Sequence, residues 1–200
     1  MDIIEKIPWD YKDCLMRQRE LNSKCSSEYS EYVIFTEHPD VYTAGIHFNQ
    51  ESIISKDVEI IKVERGGALT YHGPGQLVVY FIINLKRRGI NILDLIKKIQ
   101  EATVESLSHF NINAEGRLHK ETGVWVGNKK IASIGLAIKG DCTLHGIAIN
   151  VSTDLGKFNK IKPCDFDPNI MTSISELTGR EVSVIEFLPI FKESIMNKLR

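Results

Sequence analysis

Two hundred residues with 42% apolar content can bury a substantial core, and the length fits one domain, or at most a main domain with a small appendage. The 25 basic residues nearly balance 26 acidic ones, for a net charge of -1, which excludes the global positive field of a nucleic-acid-binding chain. No stretch approaches about eighteen consecutive apolar residues, and the opening MDIIEKIPWDYK carries acids and lacks a signal-peptide core, so the expected location is cytoplasmic, with no membrane partner. Cys14, Cys25, Cys142 and Cys164 show no CxxC pair and no zinc-type spacing, which argues against a structural metal. In a reducing cytosol each is expected to be a free thiol.

In chain order, apolar or semi-apolar positions at Tyr11, Cys14, Leu15, Leu21 and Cys25 predict an amphipathic helix over Asp10 to Cys25, with Asp10 as its N-cap. Tyr32 to Thr36 reads as a short strand, and Ile60 to Val63 as another that leads into RGGALTYHGPGQLVVY, Arg65 to Tyr80. This segment holds Gly66, Gly67, Gly73, Pro74 and Gly75, residues that allow close backbone approach or fix φ, so it reads as an ordered binding loop. A tight turn with no ligand is the alternative. Leu77 to about Asn84 then forms a strand buried on both faces, followed by the basic turn Lys86, Arg87, Arg88, Gly89. Ile92, Leu95, Ile96 and Ile99 set a helical face that continues to Leu107, with Asn91 and Asp94 as caps.

Val124 to Val126, Lys130 to Ile138 and Thr143 to Val151 are predicted strands joined by turns at Gly127 and Asn128 and at Gly140 and Asp141. Lys157 to Ile170, with Pro163 and Pro168, reads as a loop. Ser173 and Glu176 form a capping box for a short helix ended by Gly179. The final pattern, Val184 to Leu199, is helical, with Pro189 either opening the helix or kinking it. Clustered short strands flanked by helices give an α+β fold with a mixed, largely antiparallel central sheet.

The chemistry has few candidates. Cys164, between two prolines in IKPCDFDP, is either a plain structural or exposed thiol or a nucleophile, and a nucleophilic thiol needs a base, a cation or a helix N-terminus to ionise it. Lys130, His72 and His145 could serve. Lys130 opens KIASIGLAI; pointing inward it would be partly desolvated and able to exchange protons, and pointing outward it would simply reach solvent. Each histidine is either a hydrogen-bond donor to a substrate carbonyl or a satisfied structural group. HExxH, EF-hand and GxxxxGK[ST] patterns are all absent.

Four separated motifs, RGGALTYHGPGQLVVY, GVWVGNKKIASIG, HGIAIN and the late Pro163-Cys164, together resemble the lipoyl(octanoyl) transferases over about His38 to Ser175. The resemblance implies a biotin/lipoate protein ligase-like fold and a single octanoyltransferase catalytic domain over residues 1–200. The implied reaction moves an octanoyl or lipoyl group from acyl carrier protein to a specific lysine of lipoyl domains, the acceptors being 2-oxoacid dehydrogenases and the glycine cleavage H protein. Donor and intermediate are both thioesters, so no ATP or other cofactor is needed. By the same resemblance Cys164 would form the acyl-thioester and Lys130 would lower its pKa and shuttle protons. Arg65, Gly66, Gly67, Ala68, Leu69, Thr70, Tyr71 and His72 would line the acyl site with Ser133, Ile134, Gly135, Gly146, Ile147 and Ala148. Two departures stand out. Asp165 replaces the family's usual glycine after the cysteine, and Thr43, Ala44, Gly45, Ile46 replace TLGR, losing a basic residue at the pocket rim.

Related ATP-dependent lipoate and biotin ligases share the fold and a comparable lysine, and form the first competing reading. Their glycine loops differ after the histidine, where this chain reads HGPGQ, and the cysteine stands where transferases keep theirs. A non-catalytic acyl sensor is the second alternative, and it has no need of both Cys164 and Lys130. Acyl carrier proteins are acidic, so a local basic docking patch is expected at Lys86, Arg87 and Arg88 or at Lys157, Lys160 and Lys162.

Overall fold

Strands of three to eleven residues build two sheets that face each other across a cleft. The computed structural model describes residues 1–28, 30–55, 58–163 and 166–200, so Cys164 and Asp165 lie outside the described residues. The larger sheet takes β1 (Asp2–Lys6), β2 (Tyr32–Thr36), β6 (Gln76–Ile82), β10 (Cys142–Asn150), β9 (Lys129–Lys139), β8 (Gly123–Val126) and β7 (Glu115–Arg117), in that spatial order. Only β1 and β2 run parallel in it; the other neighbours are antiparallel, as the hairpin turns predict. The smaller sheet has the order β4 (Ile60–Lys62), β3 (Val41–Ala44) and β5 (Leu69–His72).

Side-chain alternation along β6 separates the two faces of the large sheet. Leu77, Val79 and Phe81 join the core under α3 (Ile92–Ser108) and α5 (Val184–Lys198), while Val78, Tyr80 and Ile82 face α1 (Tyr11–Glu28). All seven residues of β6 are buried, which accounts for the unbroken apolar run in the sequence. Asn91 caps α3 through a reciprocal capping box with Asp94, and Asp10 Oδ1 accepts from the Asp13 N–H at the start of α1.

Several local expectations are corrected. The stretch read as one glycine loop contains β5, because Leu69 and Tyr71 turn into the small sheet's core with Tyr42 and Phe158. Around Ser173 the box is half formed: Ser173 Oγ accepts from the Glu176 N–H, but the Glu176 carboxylate is taken by the Thr172 hydroxyl at 2.6 Å. Pro189 neither opens nor ends α5, which starts after its cap Ser183. The carbonyl that Pro189 leaves without a donor belongs to Ile185, a residue 80% exposed, so water can satisfy it.

Cys25 and Cys142 are paired as a disulfide that ties α1 to β10, in place of the two free thiols expected. No spacing rule could find a pair 117 positions apart; packing of α1 on β10 brings their Cα atoms to 6.4 Å, within bonding range. In the chain-entropy model, closing a loop of that length removes unfolded-chain entropy worth about 5 kcal/mol. Cys14 is free and buried. Among the described residues, no helix is long and apolar enough to cross a membrane.

Candidate active site

The cleft lies between the α1-facing side of the large sheet and the edge of the small one. Register places its floor: Ala148 stands opposite Val78 and Ser133, and Gly146 opposite Tyr80 and Gly135. Opposite the floor lie Arg65, Gly66, Gly67, Thr70 and His72, and Tyr11 and His145 complete the lining. Gly135 keeps the floor low, since a Cβ there would lie 3.0 Å from the Gly66 carbonyl oxygen and 3.2 Å from Arg65 Cδ.

The loop holds its shape through backbone bonds. The N–H groups of Gly45, Ile46 and His47 donate to Ala68, Arg65 and Gly67, and the Gly66 N–H donates to Leu136 on β9 at 3.0 Å. Gly67 has φ 83, a left-handed value that favours glycine. The buried Arg65 guanidinium donates to the Thr43 carbonyl at 2.8 Å, to the Thr43 hydroxyl at 2.9 Å and to the Gly66 carbonyl at 3.0 Å.

Of the fourteen residues assigned to the acyl site, eleven line this cleft. Ile134 and Ile147 do so through backbone, because their side chains pack into the large core. Leu69 and Tyr71 are turned away: Leu69 is fully buried in the small core and Tyr71 donates its hydroxyl to Asp40 at 2.7 Å. Ala68 also lies outside the lining and serves the loop through its carbonyl. Tyr11, Val78 and Tyr80 line the cleft although the sequence did not mark them as site residues. The available signal was the i, i+2 pair Val78 and Tyr80, set on the face of β6 opposite its core residues.

Lys130 points inward, one of the two orientations open to it, and is 3% exposed. Its Nζ stands 5.4 Å from the Trp125 ring centroid and 5.7 Å from that of Phe166, so two aromatic faces flank it. The indole of Trp125 is fixed by donating to the Glu121 carbonyl at 2.8 Å. A buried polar chain runs from the loop to the lysine strand. His72 Nδ1 meets Gln76 Oε1 at 2.7 Å, Gln76 Nε2 donates to Asn150 Oδ1 at 2.9 Å, and Asn150 Nδ2 donates to the Thr172 carbonyl at 3.0 Å. The Thr172 N–H then donates to the Lys130 carbonyl at 3.1 Å.

His38 completes the wall behind Tyr80. Its Nδ1 sits 2.7 Å from the Trp9 carbonyl and must donate, so its Nε2 accepts from the Tyr80 hydroxyl at 2.8 Å and the ring is neutral. Burial pushes His38 down to about 4, against the pull of the Trp9 carbonyl, and pushes His72 down to about 3, with His38 adding to the effect. His145, at φ 63, is lowered by burial and partly restored by Glu64, whose Oε2 is 3.7 Å from His145 Nε2. Unfolded histidines take up protons near pH 6.5 while the folded rings do not, so stability is complete above about pH 6.5 and is lost on acidification. Between pH 6.5 and 4 the urea midpoint is expected to fall, as the unfolding free energy drops by up to about 1.4 kcal/mol per pH unit for each of His38 and His72. A midpoint that stays flat from pH 7 to 4.5 would contradict the neutral buried assignment.

An α+β fold with a cleft between its two sheets and a buried lysine on β9 defines the class, and a family model described as the lipoyl protein ligase A/B catalytic domain matches residues 7–196. The chain belongs to that family. It is 51% identical over 183 residues to "Probable octanoyltransferase 2" of Picrophilus torridus, spanning 91% of this chain and 72% of that protein. Against "Octanoyltransferase" of Vibrio campbellii it is 37% identical over 173 residues, 86% of this chain and 78% of that one. A solved bi-partite lipoate protein ligase from Thermoplasma acidophilum superposes with a TM-score of 0.78 at 17% identity, covering 99% of this chain and 82% of that one, a likeness of fold.

Proposed function

We propose that this protein is an acyltransferase that passes an octanoyl group from acyl carrier protein, through a thioester on Cys164, to a lysine of a lipoyl domain. The observation that carries the reading is Lys130: a buried amine on β9, the strand whose Ser133 and Gly135 line the cleft, beside the ring of Phe166, two positions after Cys164 in the chain.

In the first half-reaction Lys130, as the neutral amine, takes the proton of the Cys164 thiol. The thiolate attacks the donor carbonyl, the carrier thiolate leaves, and Lys130 returns the proton to it. In the second, the acceptor amine attacks the thioester, loses a proton to Lys130, and Cys164 leaves as a thiolate that is reprotonated. Both steps conserve charge and atoms without ATP.

Incubation with octanoyl carrier protein followed by intact-mass measurement tests this reading. One octanoyl group is expected on the wild type and none on Cys164→Ala; an unmodified wild type, or adenylation of octanoate that depends on ATP, would overturn it. For docking, Lys157, Lys160 and Lys162 are the favoured patch, since they lie next to Cys164 in the sequence. Lys157 itself pairs with Asp40, so that pair must open or reorient to serve the donor. Reversal of the three charges is expected to raise the donor KM several-fold at low salt and little at high salt. An unchanged KM at low salt would rule the patch out.

A further inference from the structure

Tyr11 is the first residue of α1, far in sequence from the cleft's other walls, yet it is 3% exposed and lines the cleft. Its ring stacks on His72 with centroids 5.9 Å apart and planes 12° apart, and meets His38 edge-on at 5.1 Å. Behind it stand Leu15 and Val63. These contacts hold the ring from several sides, so it cannot swing away without unpacking two histidines and the N-terminal turn of α1.

Its place along the cleft gives the consequence. Lys130 belongs to β9, whereas Val78 and Tyr80 belong to β6, with β10 between them. Two strand spacings separate the lysine's strand from that far side, about 10 Å. An extended octanoyl chain, seven C–C bonds of about 1.5 Å in a zigzag, spans about 9 Å. A chain that starts over Ser133 and Gly135 on β9 and crosses the floor over Ala148 thus ends at the Tyr80 wall, where Tyr11 packs against His38.

We propose that the Tyr11 ring is the stop that sets acyl chain length, an inference that rests on the acyl-transfer reading. Eight carbons fill the cleft, twelve collide with the ring, and shorter chains leave space unfilled. The ring, not the hydroxyl, is the determinant.

Acyl carrier protein loaded with octanoyl or dodecanoyl groups provides the test. Tyr11→Ala is expected to raise the dodecanoyl-to-octanoyl ratio of kcat/KM by about tenfold or more, and Tyr11→Phe to leave it unchanged. Tyr11→Leu, which retains apolar contact with Leu15 and Val63, shifts the ratio the same way by less and serves if the alanine variant does not fold. A wild-type ratio in folded Tyr11→Ala or Tyr11→Leu would overturn the stop. Should the wild type transfer neither group, the transferase reading fails separately, and thermal shift with octanoate and dodecanoate reads the stop. Dodecanoate then stabilises Tyr11→Leu more than it stabilises the wild type; equal shifts would overturn the proposal.

Discussion

Lys130→Met is expected to lower kcat for octanoyl transfer by about 10²- to 10⁴-fold, the range for loss of a positioned acid-base group. Methionine keeps the unbranched apolar stem between Trp125 and Phe166, so the thermal midpoint should change little. Lys130→Arg is expected to fail equally, because a guanidinium holds its proton throughout the accessible pH range and cannot act as the base. The rate at which iodoacetamide alkylates Cys164 at neutral pH should fall in the methionine variant, since a lysine that no longer takes the thiol proton leaves less thiolate. A methionine variant that retained more than a tenth of wild-type kcat would remove Lys130 from the chemistry.

Gly123→Ala is expected to damage the site indirectly and nearly as severely. Gly123 lies on β8 beside β9, and a Cβ there would stand 2.7 Å from Lys130 Cε and 2.4 Å from the Ala132 carbonyl oxygen. The Ala132 contact forces a costly backbone shift between β8 and β9, and the Cε contact displaces the lysine stem. Its φ of 153 is a further strain for any residue with a side chain. We expect a loss of about 1–3 kcal/mol of stability from overpacking. A drop in kcat of at least about tenfold with a smaller change in KM should accompany it, as misplacement of an acid-base group predicts. Wild-type kcat in the folded variant would mean that the glycine has no part in placing Lys130.

Elements with strong local signals are legible in the amino-acid sequence. The apolar run of β6, the capping box of α3, and the β9–β10 hairpin with its turn residues follow from period and turn chemistry alone. The strands β1, β3, β5 and β7 are not legible in this way. In β1, DIIEK carries charge at both ends and is mostly exposed; in β7, EGR has no strand-forming residue at all, and only pairing with β8 makes it extended. β3 and β5 depend on each other across a gap in sequence, and β5 is hidden among glycines. Within the site, Lys130 and the glycine motif are legible because their residue types are unusual in context. Tyr11 is not, since an aromatic residue at the start of an amphipathic helix reads as core, and only the return of α1 beneath the small sheet brings it to the cleft. Cys25 and Cys142 likewise read as ordinary buried thiols, and only packing joins them.

The most direct test isolates the octanoylated enzyme, removes the donor, and adds a lipoyl domain without ATP while the masses of both proteins are followed. The account predicts that one octanoyl group leaves the enzyme and appears on the domain's lysine at matching rates. An adduct that persists, or a domain that gains octanoyl only when octanoate and ATP are supplied, would contradict it.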